Sequence, residues 1–405
     1  MENHFIKDID CECGQHHKLP CCEICVNDNA FEMLINYISE QEYNNILVFY
    51  GLEDDELLQK MKSCDIKNKN ISYIILPLII PATTLADAIE DKGQDMIVAI
   101  GDEKVISFAK YYAYSFSCPI AIFPIGNFTD FTFSQFARLY DGMKYNFYFS
   151  QAPSGIFVDT GLNKYNQYQS YYLSSKFISA FDNYLAEIVY KKEYCPRLFD
   201  FFKKTMEKYL DSFNKDICKN NKNDIWTLIK IGQAMTFFQQ TKYFFGADAA
   251  VAEMMSSIRP EADYLELETI ALKLILSSYD CFLKDSVCLG STNLNRHINI
   301  LSKFLNVPAT TVMKNLANSK LITSKEQVID GFGNYQPYLY GVFKNFAYRI
   351  FKIHSNLALD DNVLKKNKYN SKDIELSLAL SPDIYDRPTL LHIISLYGYL
   401  DKLLD

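Results

Sequence analysis

A chain of 405 residues, 49% of them hydrophobic, is long enough for two or three domains and has ample apolar material for their cores. Only 22% of the residues are charged, and 15 glycines and 12 prolines are few, which excludes a disordered or low-complexity chain. The net charge of −8, from 41 basic and 49 acidic residues, argues against a protein that binds nucleic acid through a basic face.

Near its start the chain carries five of its 11 cysteines, together with two histidines, in the pattern C-x-C-x2-H-H-x3-C-C-x2-C. The residues are Cys11, Cys13, His16, His17, Cys21, Cys22 and Cys25. Thiolates and imidazoles are zinc ligands, but this spacing is not that of a standard finger. The segment Cys21–Val26 is also typical of a short strand, in which neighbouring side chains point to opposite faces. Reduced packing thiols, a structural zinc site and a redox role all stay open.

Five short apolar runs follow, each bounded by Gly, Pro or Asp, and each predicts a strand. They are Asn45–Gly51, Ile71–Pro77, Met96–Gly101, Pro119–Gly126 and Gly155–Thr160. Helical stretches such as Asp54–Ser63 and Glu103–Tyr114 lie between them. Strands alternating with helices predict a mostly parallel sheet covered on both faces, with ligands at the carboxyl ends of its strands.

The stretch MIVAIGDEKVISFAKYYA (Met96–Ala113) combines a buried strand, a glycine and an amphipathic helix. In nucleotide-binding domains, this arrangement places a pyrophosphate on the amides of a helix N-terminus. Several glycines are normally needed, yet here Gly101 is followed by Asp102, Glu103 and Lys104. Asp102 is a good N-cap, and a carboxylate 4 Å from a pyrophosphate repels it by ~1–4 kcal/mol, which Lys104 offsets in part. A structural cap and a phosphate site both stay open.

Beyond about residue 165 the apolar residues recur every three or four positions, which predicts a helical domain. The periodic stretches are Leu173–Tyr190, Leu198–Phe213, Trp226–Phe238, Leu265–Phe282, Leu294–Phe304 and Tyr340–Ile353. We therefore predict an α/β domain over residues 1–163 and an all-α domain over 164–405, with a cleft between them. The fold class is α/β plus all-α.

Several segments, in their order and spacing along nearly the whole chain, resemble a known family. They are CECGQHH (Cys11–His17), IGDEKVISFAKYYA, APSGIFVDTGLNK, SKFISAFDNYLAEI, SSIRPEADYLELE and the C-terminal ALSPDIYDRPTLLHIISLYGYLDKLL. The chain resembles the sn-glycerol-1-phosphate dehydrogenases, within the superfamily of glycerol dehydrogenases, 3-dehydroquinate synthases and iron-containing alcohol dehydrogenases. The resemblance implies a dehydroquinate synthase-like fold. It also implies hydride transfer between NAD(P) and dihydroxyacetone phosphate, with a divalent metal polarising the carbonyl oxygen.

Where the resemblance implies metal ligands, however, this chain has other residues. The family's aspartate corresponds to Tyr172, its first histidine to Glu266, and its second histidine to Leu283. A slip of one residue would replace Leu283 by Phe282 or Lys284. Glu266 alone is a strong ligand, and one ligand does not make a catalytic metal site, so we predict no metal ligands.

The nucleotide and substrate loops depart from the family pattern as well. The family's helix aspartate corresponds to Ser107, and its polar substrate-loop residues to Ile125 and Phe128. Asp130 matches a family aspartate, but Phe131 replaces the glycine after it. The resemblance makes Gly51, Gly101, Asp102, Lys104 and Ile125 the candidate cofactor-binding residues, and Asp130 and Glu266 the candidate catalytic residues.

Joint changes in three parts of one active site predict a divergent protein whose metal-dependent hydride transfer is lost or altered. Two alternatives stay open: an active NAD(P)-dependent oxidoreductase acting on a small polyol or its phosphate, and an interaction module stabilised by zinc at the N-terminal cysteines. The expected partner is a small molecule or nucleotide in the cleft, and family analogy suggests a homo-oligomer.

The expected location is the cytoplasm. No apolar run approaches the ~20 residues that span a bilayer, and the start MENHFIKDIDCECGQHH has no apolar signal core. An odd number of cysteines in such a chain is typical of reduced thiols.

Overall fold

A computed structural model shows the arrangement of most of the chain. The residues described are 8–20, 22–51, 55–64, 66, 68–77, 89, 93–141, 144–163, 167–190, 195–198, 200–201, 204–205, 208, 221–239, 244–284, 294–317, 325–353, 364, 366–384, 389–400 and 403. They form two compact units, residues 1–170 with 216–241, and residues 171–215 with 242–405.

Among the described residues, ten strands belong to the first unit. They are β1 (Asp8–Asp10), β2 (His16–Lys18), β3 (Glu23–Asn27), β4 (Asn45–Gly51), β5 (Asn70–Leu76), β6 (Met96–Gly101), β7 (Ile120–Pro124), β8 (Phe136–Tyr140), β9 (Tyr145–Phe149) and β10 (Gly155–Asp159). Six of them form a parallel sheet in the order β3-β10-β7-β6-β4-β5. The pairs β1–β2 and β8–β9 are separate antiparallel hairpins. The predicted parallel sheet is confirmed.

Helices cover both faces of this sheet because its central strands are apolar on both sides. Helix α1 (Ala30–Glu40) packs Phe31 and Leu34 into the same core as Val48 of β4. Helix α2 (Asp55–Ser63) adds Met61 to this core. On the opposite face, Phe49 meets Phe108 of α3 (Glu103–Ser115) edge to face, with ring centroids 5.6 Å apart. Side chains alternate along a strand, so one strand feeds both cores. Each fully buried aromatic or aliphatic side chain contributes ~1.5–3 kcal/mol.

One helix of the first unit comes from much later in the chain. Helix α5 (Asn221–Phe238) belongs to this unit although α4 (Gln167–Tyr190), which precedes it, runs mainly through the second. It packs on the short 3-10 helix Asp130–Phe133, and the two approach closely because Gly232 has no side chain. The sequence does not indicate this return, and the division at residues 163 and 164 stays a prediction.

The second unit is helical in the part that the structure describes. Its further helices are α6 (Ala247–Ile258), α7 (Tyr264–Lys284), α8 (Leu294–Phe304), α9 (Ala309–Ala317), α10 (Lys325–Ile353), α11 (Ser371–Ile384) and α12 (Leu390–Leu396). The alanines of α6 let α7 and α11 pack closely against it. Most of the predicted helix Leu198–Phe213 lies outside the described residues. Within those residues, no helix combines the length and apolarity that crossing a membrane requires.

Candidate functional site

Three of the candidate cofactor-binding residues lie together at the carboxyl edge of the sheet. Gly51 ends β4, Gly101 ends β6, and the Ile125 amide after β7 donates to the Gly101 carbonyl at 2.9 Å. The strands β4, β6 and β7 are adjacent and parallel, so their ends meet. Gly101 has φ of 146°, a conformation that favours glycine. The backbone turn that precedes a nucleotide-binding helix is therefore present.

The helix that follows this turn is capped by its own side chain. Asp102 is the N-cap of α3, and its Oδ1 accepts hydrogen bonds from the amides of Lys104 (3.0 Å) and Val105 (3.1 Å). Burial raises the pKa of Asp102, while the bond from the Val105 amide and the charge of Lys104 lower it. The amides on which a phosphate would rest are thus already bonded to a carboxylate.

A second carboxylate, that of Glu103, lies in the first turn of α3 inside a buried ion pair. Its Oε1 is 3.2 Å from Nε of Arg138 on β8, and both side chains are less than a tenth exposed. Its Oε2 accepts hydrogen bonds from the Thr129 amide (2.9 Å) and the Thr129 hydroxyl. Arg138 also lies over the Tyr145 ring, 4.7 Å from its centroid. Glu103 therefore ties α3 to the segment that precedes the 3-10 helix.

The candidate catalytic residue Asp130 begins the 3-10 helix and is completely buried. Nearby, the buried Lys110 ammonium donates to the carbonyls of Phe131, Ser134 (2.8 Å) and Phe136 (2.6 Å). Burial lowers the pKa of Lys110 to about 7, and the charges of Glu103 and Asp130 oppose this shift. The charges of Glu103 and Asp130 thus both favour the protonated form of Lys110, and the catalytic role of Asp130 stays a prediction.

The other candidate catalytic residue, Glu266, lies in the second unit at the start of α7. Its Oε1 is 2.8 Å from the Lys366 ammonium, and its Oε2 accepts a hydrogen bond from the side-chain amide (Nδ2) of Asn367 at 2.8 Å. Both carboxylate oxygens are thus held by donors of this chain. The catalytic role of Glu266 also stays a prediction.

The position that the resemblance assigns to the metal-binding aspartate is filled by a lysine–tyrosine pair. The Lys176 ammonium donates to the Tyr172 hydroxyl (2.7 Å) and to the Phe244 carbonyl (3.1 Å). It also lies 4.2 Å from the centroid of the Tyr172 ring and 5.1 Å from that of Phe245. Both Lys176 and Tyr172 are 1% exposed.

These residues do not fit a catalytic divalent metal. The Tyr172 hydroxyl already accepts from an ammonium, Glu266 is held by Lys366 and Asn367, and the buried Leu283 has no donor atom. Among the described residues of the second unit alone, no three His, Cys, Asp or Glu groups lie close enough to share an ion. The residues beside Gly101 do not fit a pyrophosphate either, because carboxylates are present where it would bind.

Two carboxyl groups interact directly in the interior of the second unit. Asp248 of α6 and Glu268 of α7 lie close enough for each to shift the pKa of the other, and the Ser175 hydroxyl donates to Glu268 Oε1 at 3.1 Å. Burial raises the pKa of Glu268 to about 8, helped by the charge of Asp248 and opposed by that of Lys176. Burial also raises the pKa of Asp248, to about 6, although the neighbouring Glu268 lowers it. Glu268 therefore keeps its proton at neutral pH, beside the Asp248 carboxylate.

We expect replacement of Glu268 by glutamine to reduce the pH dependence of stability. Folded Glu268 keeps its proton up to about pH 8, whereas the unfolded carboxyl loses it near pH 4. The folded state therefore holds the extra proton, and stability falls as the pH rises through this window, by ~1.4 kcal/mol per unit for one proton. Urea unfolding at pH 5, 6 and 7 measures the slope for both proteins.

The range ends at pH 7 because the lowered pKa of Lys110 adds an opposite slope above it. Glu187→Gln, on the surface of α4, serves as the control and should leave the slope unchanged. Equal slopes in the original chain and in Glu268→Gln would contradict the buried proton.

Most of these buried charges and their partners could not be predicted from the local sequence. Arg138, Thr129, Asp248 and Glu268 lie far apart in sequence from the groups they meet, and only the fold brings them together. A signal exists for Lys176, because a lysine interrupts the apolar face of SKFISAF four residues after Tyr172. Residues at this spacing share one helix face, so the sequence could have predicted that Tyr172 and Lys176 form a buried pair.

Comparison with known proteins identifies the fold. No protein-family model and no curated protein matches this sequence. Among solved structures, a probable glycerol dehydrogenase from Sinorhizobium meliloti 1021 matches with a TM-score of 0.56 and 12% identity, over 95% of this chain and 96% of that one. The iron-containing alcohol dehydrogenase of Thermotoga maritima gives 0.54 and 11%, over 96% and 99%. Maleylacetate reductase from Rhizobium sp. strain MTP-10005 gives 0.54 and 10%, over 96% and 97%. The fold is that of the iron-containing alcohol and glycerol dehydrogenases.

Proposed function

We propose that this chain is a divergent relative of the sn-glycerol-1-phosphate dehydrogenases that keeps their fold but has lost metal-dependent hydride transfer. It acts as a binding or interaction protein. The observation that carries this proposal is the Asp102 cap, whose carboxylate occupies the amides of Lys104 and Val105 at the start of α3. A pyrophosphate needs those donors, and a carboxylate at hydrogen-bond distance from them repels it.

The second unit supports the same proposal independently. The positions assigned to the three metal ligands hold Tyr172, Glu266 and Leu283, and the first two are bonded to Lys176 and Lys366. A lysine ammonium repels a divalent cation by its charge, and it already binds the oxygen that the cation would need. Loss of one group alone would alter an active site. Loss of both the amide donors for a phosphate and the side-chain ligands for a metal leaves neither the nucleotide nor the metal a place to bind.

The proposal is tested on the full chain with dihydroxyacetone phosphate and NADH or NADPH, with and without added Zn²⁺, Fe²⁺ or Mn²⁺. We expect no turnover above the rate without protein and no thermal shift with either nucleotide. A nucleotide at 100 times its dissociation constant would stabilise the protein by ~2.7 kcal/mol, which a melting curve detects. Metal-dependent turnover that disappears in Glu266→Gln would overturn the proposal.

A second candidate function, a metal-independent NAD(P)-dependent oxidoreductase acting on a small polyol or its phosphate, is favoured by the Tyr172–Lys176 pair. An ammonium 2.7 Å from a phenol oxygen stabilises the phenolate, so such a pair can give a proton to a carbonyl oxygen. The pair is only 1% exposed, which is why this candidate ranks second. It requires turnover that persists with a chelator and is lost in Tyr172→Phe. The control Tyr184→Phe, at a partly buried position of the same helix, should keep that turnover.

A further inference from the structure

The hairpin β1–β2 brings two thiols and an imidazole together near the start of the chain. The Cys13 sulfur is 3.3 Å from Nε2 of His17, and the sulfurs of Cys11 and Cys13 and a ring nitrogen of His17 all lie within 4.8 Å of one another. A tetrahedral zinc ion with bonds of ~2.0–2.3 Å holds its ligand atoms ~3.5–3.8 Å apart. Small side-chain rotations therefore suffice to place these three atoms around one ion.

The backbone of the hairpin turn is built so that these side chains converge. The Cys11 amide donates to the Gln15 carbonyl at 3.0 Å, and the Gly14 amide donates to the Cys11 carbonyl at 2.9 Å. Gly14 has φ of 77°, which favours glycine, and this tight turn folds Cys11 and Cys13 back toward β2. Strand pairing of His17 with Ile9 fixes the position of the third group.

The packing of His17 fixes the plane of its ring. His17 is 3% exposed and lies between Phe237 and Phe238 of α5, with ring centroids 5.3 and 5.0 Å away. His16 points to the other side of the strand, where its Nδ1 lies 2.9 Å from exposed Asp10. Of the two adjacent histidines, only His17 can therefore serve this cluster, and His16 provides a matched control.

The other cysteines of the N-terminal pattern are placed elsewhere or lie outside the described residues. Cys25 packs in the apolar core of the sheet, where burial raises the pKa of its thiol. The Cys22 thiol donates to the Glu23 carbonyl at 3.5 Å, and Cys21 is not among the described residues. Of the six residues of this pattern that the structure describes, three thus converge.

We propose that Cys11, Cys13 and His17 bind a zinc ion that fastens the turn of the β1–β2 hairpin to β2. Two thiolates and one neutral imidazole are soft and borderline donors that select Zn²⁺ over Mg²⁺ or Ca²⁺. Both cysteines are outside disulfides, as this requires. Binding displaces the two thiol protons, and the fourth coordination position is taken by water or by another thiolate of the chain.

The direct test is the zinc content of the purified full chain, measured by mass spectrometry of the metal. We expect about one zinc per chain, and a loss of most of it in Cys13→Ser and in His17→Ala. The matched controls Cys22→Ser and His16→Ala should keep it, and so should Glu266→Gln, which separates this site from any metal in the second unit. Zinc retained in both Cys13→Ser and His17→Ala would overturn the proposal, as would a protein that binds none.

Cobalt substitution makes the result independent of whether a variant folds. The original chain, stripped with a chelator and titrated with Co²⁺, should develop a thiolate-to-cobalt charge-transfer band that Zn²⁺ then removes. The intensity of the band reports the number of thiolates bound to cobalt. Where that number is three, single serine variants identify the third thiolate among Cys22, Cys25, Cys64, Cys118, Cys195 and Cys281. A cobalt complex without that band would show that Cys13 and His17 form only a thiol–imidazole hydrogen bond.

Discussion

Replacing Gly232 by alanine should destabilise the first unit by about 3 kcal/mol or more. An added Cβ would lie 2.3 Å from the Asp130 carbonyl oxygen, 2.8 Å from the Phe133 Cβ and 3.0 Å from the Phe133 carbonyl carbon. These atoms belong to the 3-10 helix, whose Phe131 carbonyl accepts from the buried Lys110 ammonium. The helix cannot move away from α5 without breaking that bond.

Urea unfolding followed by fluorescence measures this effect. Trp226 is the only tryptophan of the chain and lies in α5, so its emission reports on the helix that the substitution displaces. The matched control is Gly341→Ala in α10, where nothing lies within 4 Å of an added Cβ. Alanine is the better helix former by ~1 kcal/mol, so the control should be unchanged or more stable. Equal unfolding midpoints for the two variants would contradict the close approach.

Asp182→Ala should be similarly damaging to the second unit, by ~3–5 kcal/mol. The Asp182 carboxylate accepts from the Ala247 amide (2.9 Å), the Leu390 amide (3.0 Å) and the Tyr279 hydroxyl (2.8 Å). The two amides lie at the N-termini of α6 and α12, so one side chain satisfies two helix ends. Each buried donor left without an acceptor costs ~1–3 kcal/mol.

Two further variants are compared with Asp182→Ala by urea unfolding at one pH. Asp182→Asn keeps one acceptor oxygen but loses the other, so its stability should lie between those of the original chain and the alanine variant. Asp280→Ala, at a half-buried position of α7, should change stability by no more than ~0.5 kcal/mol. If Asp182→Ala behaved like Asp280→Ala, the shared cap would carry little of the stability.

The sheet could be predicted from sequence because its strands are continuous apolar runs. The strands Asn45–Gly51 and Met96–Gly101 begin and end where the sequence predicts, and β5, β7 and β10 differ by one or two residues. The hairpin β8–β9 was missed because Arg138 and Asn146 interrupt its apolar pattern. A buried arginine looks exposed in sequence until its partner Glu103 is known.

In the candidate site, too, local features could be predicted from sequence and long-range contacts could not. Local rules predict the Asp102 cap, since a cap needs only its own helix, and the structure has it. Long-range chemistry was not predictable, because the Phe244 carbonyl that accepts from Lys176 and the partners of Asp182 come from segments 60 to more than 200 residues away. The Cys–His pattern was visible, but which of its seven residues converge depends on the turn at Gly14.

The return of α5 to the first unit has a consequence for synthesis on the ribosome. The Phe133 carbonyl and the Gln135 amide find their partners, Gln233 and Thr236, only in that late helix. At ~5–20 residues per second, translation leaves the 3-10 helix uncovered for several seconds after its own residues have emerged. The nascent first unit therefore completes its core only after part of the second has been made, so a pause between the two would expose apolar surface to chaperones.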